Sequence, residues 1–194
     1  SVGYYAEVIH TATDEDSMIS ITKDGYKFIE DKDGNAYLIG YDGTSSELIL
    51  PETYNGRSYA IGASAFSDYY DLTSVTIPDG VTGIGAFAFE SCLLLKHVNI
   101  PNSVKSIGEQ AFGACYALVN IEIPESVTSI GDALFNACLG LTSVTLPNNM
   151  ESIGEYTFTY CISLTSVKIP DKVTIIGEGA FMSCFNLMSV NIPD

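Results

Sequence analysis

The sequence is poor in basic residues. It has 8 lysines and arginines against 24 aspartates and glutamates, which gives a formal net charge of −16 at pH 7. Such a surface repels phosphate backbones and anionic lipid headgroups, so the composition argues against nucleic acid or a membrane surface as a partner. A basic protein or Ca²⁺ remains compatible with this charge.

Long apolar runs and histidine are also scarce. No run approaches the roughly 18–20 residues that a membrane span needs, and no charged-then-apolar leader opens the sequence. The only two histidines are His10 and His97, so a cysteine–histidine nucleophile would have to use one of them. No pair of titratable groups is seen to converge. We therefore expect neither an enzyme nor a bound cofactor or metal.

What the sequence does have is a repeat of 23 residues. Each regular copy opens with the pattern L-x-x-V-x-I, which a proline follows. Proline lacks the N–H that a strand ladder needs, so it ends a short β-strand at the same place in every copy. A second extended stretch, V-x-x-I-G, comes next. The copies begin without insertion or deletion at Leu72, Leu95, Leu118, Leu141, Leu164 and Leu187.

The third part of a copy is represented by the pattern A-F-x-x-C, as it stands in the copy from 72 to 94. It places Phe89, Cys92 and Leu93 at i, i+3 and i+4, a spacing that predicts a short helical or 3₁₀ turn. A unit this short cannot bury its own apolar face. We therefore expect the copies to stack as coils at about 4.8 Å, with each repeated position forming a ladder through the core.

The full pattern, L-x-x-V-x-I-P-x-x-V-x-x-I-G-x-x-A-F-x-x-C, resembles the BspA-like (TpLRR, LRR_5-type) leucine-rich repeats over residues 48–194. The resemblance implies an α/β solenoid. It also implies a surface or secreted bacterial protein of the adhesion type, whose partner is a protein such as a host matrix protein, or a glycan. Departures from the pattern, such as Leu134 and Thr157 in the alanine column, concern packing and say nothing about the partner.

The residues before the regular copies predict a β-rich N-terminal cap. Residues 1–25 are predicted to be a leader or part of the cap. Residues 26–47 are predicted to form a β-hairpin, because two strand-like stretches flank a turn sequence at 31–35. The solenoid is assigned to 48–194. Its first copy has four extra residues around 52–58 and Tyr69 in the cysteine column, as expected of a terminal copy.

One cysteine recurs in each regular copy. Neighbouring cysteines of a stack would lie roughly 5 Å apart, within the range of Cα distances that a disulfide bond spans. However, in-register side chains point in parallel, so we expect a buried column of reduced thiols and keep a disulfide as the alternative. The spacing also lacks the C-x-x-C of a zinc site. The column is Cys92, Cys115, Cys138, Cys161 and Cys184.

A Ca²⁺-loop template overlaps the predicted hairpin. Its positions 1, 3, 5, 7 and 12 would be Asp31, Asp33, Asn35, Tyr37 and Asp42. However, Ala36 replaces the required glycine, an aspartate replaces the bidentate glutamate, and the flanks read as strands. We therefore favour a structural hairpin, with a Ca²⁺-binding module as the alternative.

The outward positions of the repeat strands are the predicted contact surface, since a solenoid usually binds partners there. We predict a non-enzymatic, cell-surface or secreted module, monomeric, that binds a protein or glycan through this face. A rigid structural spacer that displays another domain is the alternative. The candidate residues are polar and vary between copies: Ser74, Thr76, His97, Asn99, Asn120, Glu122, Ser143, Thr145, Ser166 and Lys168.

A second candidate column is apolar in every copy. Packing against the next coil explains it if all of its side chains are buried. If two or more are over a third exposed, an apolar stripe for a protein partner gains support. The column directly follows the cysteine column and consists of Tyr70, Leu93, Tyr116, Leu139, Ile162 and Phe185.

Overall fold

The computed structural model describes residues 19–192, which form short β-strands joined by turns and contain no helix. The strands are β1 (Ser20–Ile21), β2 (Tyr26–Glu30), β3 (Ala36–Tyr41), β4 (Glu47–Ile49), β5 (Tyr59–Ile61), β6 (Ser74–Thr76), β7 (Val81–Ile84), β8 (His97–Asn99), β9 (Ser106–Ile107), β10 (Asn120–Glu122), β11 (Ser129–Ile130), β12 (Ser143–Thr145), β13 (Ser152–Ile153), β14 (Ser166–Lys168), β15 (Ile175–Ile176) and β16 (Ser189–Asn191).

The copies stack as parallel coils, one coil for each 23-residue copy. Val75 of β6 pairs with Val98 of β8, and Ile121 of β10 pairs with Val144 of β12, both at an offset of one copy. We call the surface formed by β4, β6, β8, β10, β12, β14 and β16 the strand face. Its pairing runs in three groups, β4–β6–β8, β10–β12 and β14–β16.

The V-x-x-I-G stretches form a second ladder on the next side of each coil. Strands β5, β7, β9 and β11 pair in parallel within one sheet, and β13 pairs with β15. The glycine that follows β7, β9, β11 and β15 is required by close approach between coils, because a Cβ there would meet the backbone of the coil before it. A Cβ on Gly131 would lie 2.1 Å from the backbone nitrogen of Glu109 and 2.4 Å from its Cα. No larger residue fits that space without moving the backbone.

The predicted α/β class is wrong, because the third side of each coil is a turn and not a helix. Phe87 and Ser91 have positive φ angles of 58° and 57°, and the equivalent residues of the other coils behave alike. Left-handed residues four positions apart cannot continue a right-handed helix. The backbone instead bonds to the neighbouring coil, as when the N–H of Phe89 donates to the carbonyl of Ala111 at 2.8 Å. The fold is therefore a β-solenoid.

The repeated apolar columns form one continuous core, as the sequence predicts. The leucine, phenylalanine and cysteine columns are buried up to Leu164, Phe158 and Cys161 and half-buried at their last described members, and a single cluster extends from Tyr26 to Ala180. The phenylalanine rings stack from coil to coil, with centroids 5.2 Å apart for Phe66 and Phe89 and 6.1 Å apart for Phe112 and Phe135. This stack fixes the coils in register along the core.

The predicted hairpin is present at the N-terminal end of the stack. Strands β2 and β3 pair antiparallel, β1 adds to β2, and β3 pairs in parallel with β5. The hairpin therefore extends the second ladder and not the strand face. Residues 1–18 of the predicted leader lie outside the described residues. The boundaries of the three predicted segments stay a prediction.

The extra residues of the first copy clamp this hairpin to the solenoid. Tyr54 stacks on Phe28 with ring centroids 4.4 Å apart. Arg57 donates through Nη2 to Glu30 Oε1 at 2.7 Å and through Nη1 to the carbonyl of Gly34 at 2.9 Å. A stacked ring and a two-point arginine contact together hold the hairpin in one orientation.

Tyr69 gives a second link to the cap. It occupies the cysteine column of the first coil, and its hydroxyl donates to the carbonyl of Gly43 at 2.8 Å. In the later coils a short thiol reaches the coil before it. The first coil is preceded by the cap instead of by another coil, and the longer side chain of Tyr69 spans the distance to the cap.

Candidate binding surfaces

The ten predicted contact residues lie together on the strand face. Nine are exposed, and Ser74 is half-buried. Paired strands hold neighbouring side chains at fixed positions, for example Asn120 opposite Ser143 and Glu122 opposite Thr145. The face is largely uncharged, and neither ion pair found in residues 19–192 involves it. It therefore offers a set of hydroxyl and amide groups for hydrogen bonds to a partner.

Two shallow open grooves cross the strand face. One has a volume of about 290 Å³ and lies over β6, β8 and β10, with His97 and Asn120 on its rim and Val98 in its floor. The other, about 320 Å³, lies over β14 and β16. Val98 is half-buried, as are Val144 and Val190 of the same column, and it lies where the pairing of β8 stops. The first groove thus combines a polar rim with a partly apolar floor.

Asn99 differs from the other candidates because its side chain is already engaged within the protein. Its Oδ1 accepts the N–H of Ile77 at 3.1 Å, and its Nδ2 donates to the carbonyl of Ile77 at 3.0 Å. The amide therefore fastens β8 to the end of the preceding strand, where Pro78 interrupts the ladder. Sequence reasoning placed Asn99 among the contact residues and missed this structural role.

The apolar column is partly exposed. Tyr70, Tyr116 and Phe185 are 53%, 44% and 79% exposed, whereas Leu93, Leu139 and Ile162 are half-buried. Phe185 belongs to the last described coil, so Tyr70 and Tyr116 are the informative members of the column. The exposed fraction of both tyrosines exceeds one third, so the interpretation as an apolar stripe gains support over simple packing against the next coil.

Two further exposed apolar residues enlarge this stripe, and the sequence reasoning missed both. Leu94 is 47% exposed and Val119 is 45% exposed. Each belongs to a column that is polar or small in most other copies, so the repeat gave no signal for them. We call the group around them the edge patch: Tyr70, Leu93, Leu94, Tyr116, Val119 and Leu139.

The geometry of the cysteine column indicates a structural role. No disulfide joins the cysteines among residues 19–192, and the Sγ of each donates to a phenylalanine carbonyl of the preceding coil at 3.0–3.3 Å. Burial raises the pKa of the Cys92 thiol to about 12. The thiol is therefore neutral near pH 7, and a thiolate nucleophile is not available there. His97 lies exposed on the strand face, and His10 lies outside the described residues.

The residues that match the Ca²⁺-loop template stabilise the hairpin turn instead. The Oδ1 of Asp31 accepts the N–H groups of Asp33 at 3.0 Å and Asn35 at 2.8 Å, and its Oδ2 accepts the Asn35 side-chain amide at 2.8 Å. Burial acts to raise the pKa of Asp31, but these hydrogen bonds outweigh it and lower the pKa. Asp42, the last template position, pairs with Lys27. Residues 19–192 hold no group of three or more histidine, cysteine or acidic side chains arranged for a metal.

No helix within the described part of the chain is long and apolar enough to cross a membrane.

Comparison with solved structures finds the same fold in several bacterial proteins. The leucine-rich repeat protein TpLRR of T. pallidum shares 29% identity over 90% of this chain and 84% of its own, with a TM-score of 0.82. A leucine rich cell surface protein of Faecalibacterium prausnitzii A2-165 shares 36% identity over 89% of this chain and 54% of its own, with a TM-score of 0.65.

A leucine-rich repeat protein of Bacteroides ovatus shares 32% identity over 90% of this chain and 53% of its own, with a TM-score of 0.64. The chain thus spans about half the length of the Faecalibacterium and Bacteroides proteins. No protein among curated sequences matches it.

The family model for the BspA type leucine rich repeat region matches residues 46–138 and 82–194, in six copies. These matches cover the whole stack from β4 onwards and agree with the columns that build its core. The chain belongs to the BspA-type leucine-rich repeat family.

Proposed function

We propose that this chain is a non-enzymatic interaction module that binds a partner protein through its strand face. The observation that carries the proposal is the strand face itself, where outward side chains are exposed, uncharged for the most part, and held in register by paired strands. Strand pairing fixes the backbone beneath these side chains, so the backbone loses little conformational freedom on binding, which favours a specific complex. The fold belongs to a family of repeat proteins that are usually not enzymes.

The partner is a protein exposed outside the bacterial cell, and the module acts in adhesion, for example to a host matrix protein. Support for this location comes from the Faecalibacterium relative, which is described as a leucine rich cell surface protein. A glycan is the second candidate partner, because the groove that His97 and Asn120 flank offers donors and acceptors beside a partly apolar floor. The edge patch favours a protein, since four of its apolar side chains, Tyr70, Leu94, Tyr116 and Val119, are exposed and suit protein contacts.

Charge reversal on the strand face tests this proposal. Glu122→Lys and Lys168→Glu reverse the only two formal charges among the ten candidates, counted with histidine neutral, and both residues are exposed. The chain and its variants would be passed over a panel of immobilised host matrix proteins and a glycan array. Glu109→Lys and Lys105→Glu are matched controls, because both residues are exposed away from the strand face. We expect binding to fall in the strand-face variants and to persist in the controls.

Equal binding by all four variants would remove the site from the strand face. A rigid spacer is the competing function, and it is favoured by the single continuous core that joins cap and coils. It would be established if this chain retained no partner while a longer native chain bound through another region.

A further inference from the structure

The extra residues of the first copy contain the only Asn-Gly pair in the sequence, Asn55-Gly56. The pair forms the tip of a two-residue turn, with φ angles of 50° and 74°. Tyr54 and Arg57 close the turn by exchanging two backbone hydrogen bonds of 2.9 Å each. Both residues at the tip are exposed, so the pair projects from the corner of the first coil into solvent.

We propose that Asn55 is a site of spontaneous covalent modification, at which the asparagine converts to aspartate and isoaspartate. The backbone nitrogen of Gly56 attacks Cγ of Asn55. A bond forms between this nitrogen and Cγ, the bond from Cγ to Nδ2 breaks, and Nδ2 leaves as ammonia with the proton of the Gly56 amide. The product is a five-membered cyclic imide.

Water then opens the ring at one of its two carbonyl carbons. Attack at Cγ restores the normal backbone and leaves aspartate. Attack at the backbone carbonyl leaves isoaspartate, in which the chain continues through the former side chain. The overall change consumes one water and releases one ammonia, so neither an oxidant nor a second protein is required.

Three features make this pair more reactive than the other nine asparagines of the sequence. Glycine has no Cβ to hinder the attack, and nothing lies within 4 Å of the place where a Cβ of Gly56 would be. Within residues 19–192, neither the Gly56 N–H nor the Asn55 side-chain amide makes a hydrogen bond. Asn99 shows the contrast, because its amide is bonded to Ile77 and a branched residue follows it.

The modification would act on the clamp that holds the N-terminal hairpin. A new carboxylate at position 55 lies two residues from Arg57 and competes with Glu30 for the guanidinium group. Isoaspartate also adds one backbone carbon to a two-residue loop, so the two hydrogen bonds between Tyr54 and Arg57 cannot both be kept. The turn then ceases to fix the arginine against the hairpin.

The purified chain would be incubated at mildly alkaline pH and physiological temperature, and followed by intact mass and peptide mapping with detection of isoaspartate. We expect a gain of about one dalton that maps to position 55 before any other asparagine reacts. The variant Asn55→Ser, which has no amide to lose, should keep its mass under the same conditions. No gain at position 55, or an earlier gain elsewhere, would overturn the proposal.

Hydrogen exchange measures the structural consequence. As the isoaspartate fraction rises, amide protection should fall in the hairpin at 26–41 and stay constant in the coils beyond 95. Asn55→Ser should retain full protection after the same incubation. If modified chains keep the protection of unmodified ones in the hairpin, the effect on the clamp is refuted even though the site reacts.

Discussion

The Sγ of Cys138 lies 3.0 Å from the carbonyl oxygen of Phe112 in the preceding coil, and the four other cysteines repeat the relationship. The same carbonyl also accepts the backbone N–H of Cys115, at 3.4 Å, in the turn of its own coil. A thiol is small enough for the buried column and still supplies one weak donor. The cysteine column therefore links neighbouring coils in addition to filling space.

Cys138→Ala should lower the free energy of unfolding by about 1–2 kcal/mol, because it leaves a small cavity and removes one buried donor. Urea denaturation measures the effect. Cys184→Ala is the matched control, since Cys184 makes the same contact with Phe158 but is only half-buried. The loss of unfolding free energy should be smaller for Cys184→Ala than for Cys138→Ala. Equal costs would show that burial does not govern the column.

Stability should fall at alkaline pH through the buried thiols. Burial raises the pKa of Cys92 and Cys138 from 9.0 to about 12. Because the folded-state pKa lies above the unfolded value, the unfolded chain loses these protons first as pH rises. The contribution to stability is therefore full below pH 9.0 and is lost progressively as pH approaches 12.

Denaturant midpoints across this pH window would measure that loss. Tyr26, whose pKa burial also raises to about 12, adds to it in the same direction. A comparison with Cys138→Ala isolates the thiol, since the stability difference between the two proteins should shrink as pH rises. A difference that stays constant across the window would contradict the assignment.

Asn99→Ala should lower the free energy of unfolding by about 1 kcal/mol although the residue is exposed, because both hydrogen bonds to the backbone of Ile77 are lost. Asn120→Ala is the control, as the side chain of Asn120 makes no hydrogen bond within residues 19–192. Thermal unfolding of both variants would measure the difference. If both are as stable as the parent, Asn99 is a free contact residue like its neighbours.

Gly131→Ala should be strongly destabilising, by about 2–3 kcal/mol, because the new Cβ meets the backbone of Glu109 in the coil before it. Gly40→Ala is the matched control. There a Cβ would find no atom closer than the carbonyl oxygen of Ala65 at 3.6 Å, which is an ordinary contact distance. Chemical denaturation that shows a similar loss for both variants would argue against close approach as the reason for the glycine column.

The columns allowed the stack and its register to be predicted from the sequence, because the offset between Val75 and Val98 is the repeat length itself. The third side was predicted wrongly for a physical reason. A turn and a 3₁₀ helix share the spacing of Phe89 and Cys92, and the two differ in the sign of φ at Phe87. Phenylalanine rarely adopts positive φ, so its identity gives no warning.

The candidate surfaces were predicted only in part. The strand face follows from alternation along strands such as β10, whose central residue points inward. The double hydrogen bond of Asn99 depends on the position of another coil's backbone. The edge patch depends on Leu94 and Val119, whose columns vary between copies. Features confined to one coil leave no trace in a repeat pattern.

The three-sided bonding between coils has a consequence for how such chains can change length during evolution. Gain or loss of a whole 23-residue copy preserves every pairing, because each coil contacts only its neighbours. A single inserted residue within a strand would shift the partners of all later positions in that coil. The corner between β4 and β5 accommodates four additional residues because no ladder passes through it. Duplication of whole units, with small insertions restricted to corners, is therefore the pattern of variation that this architecture tolerates.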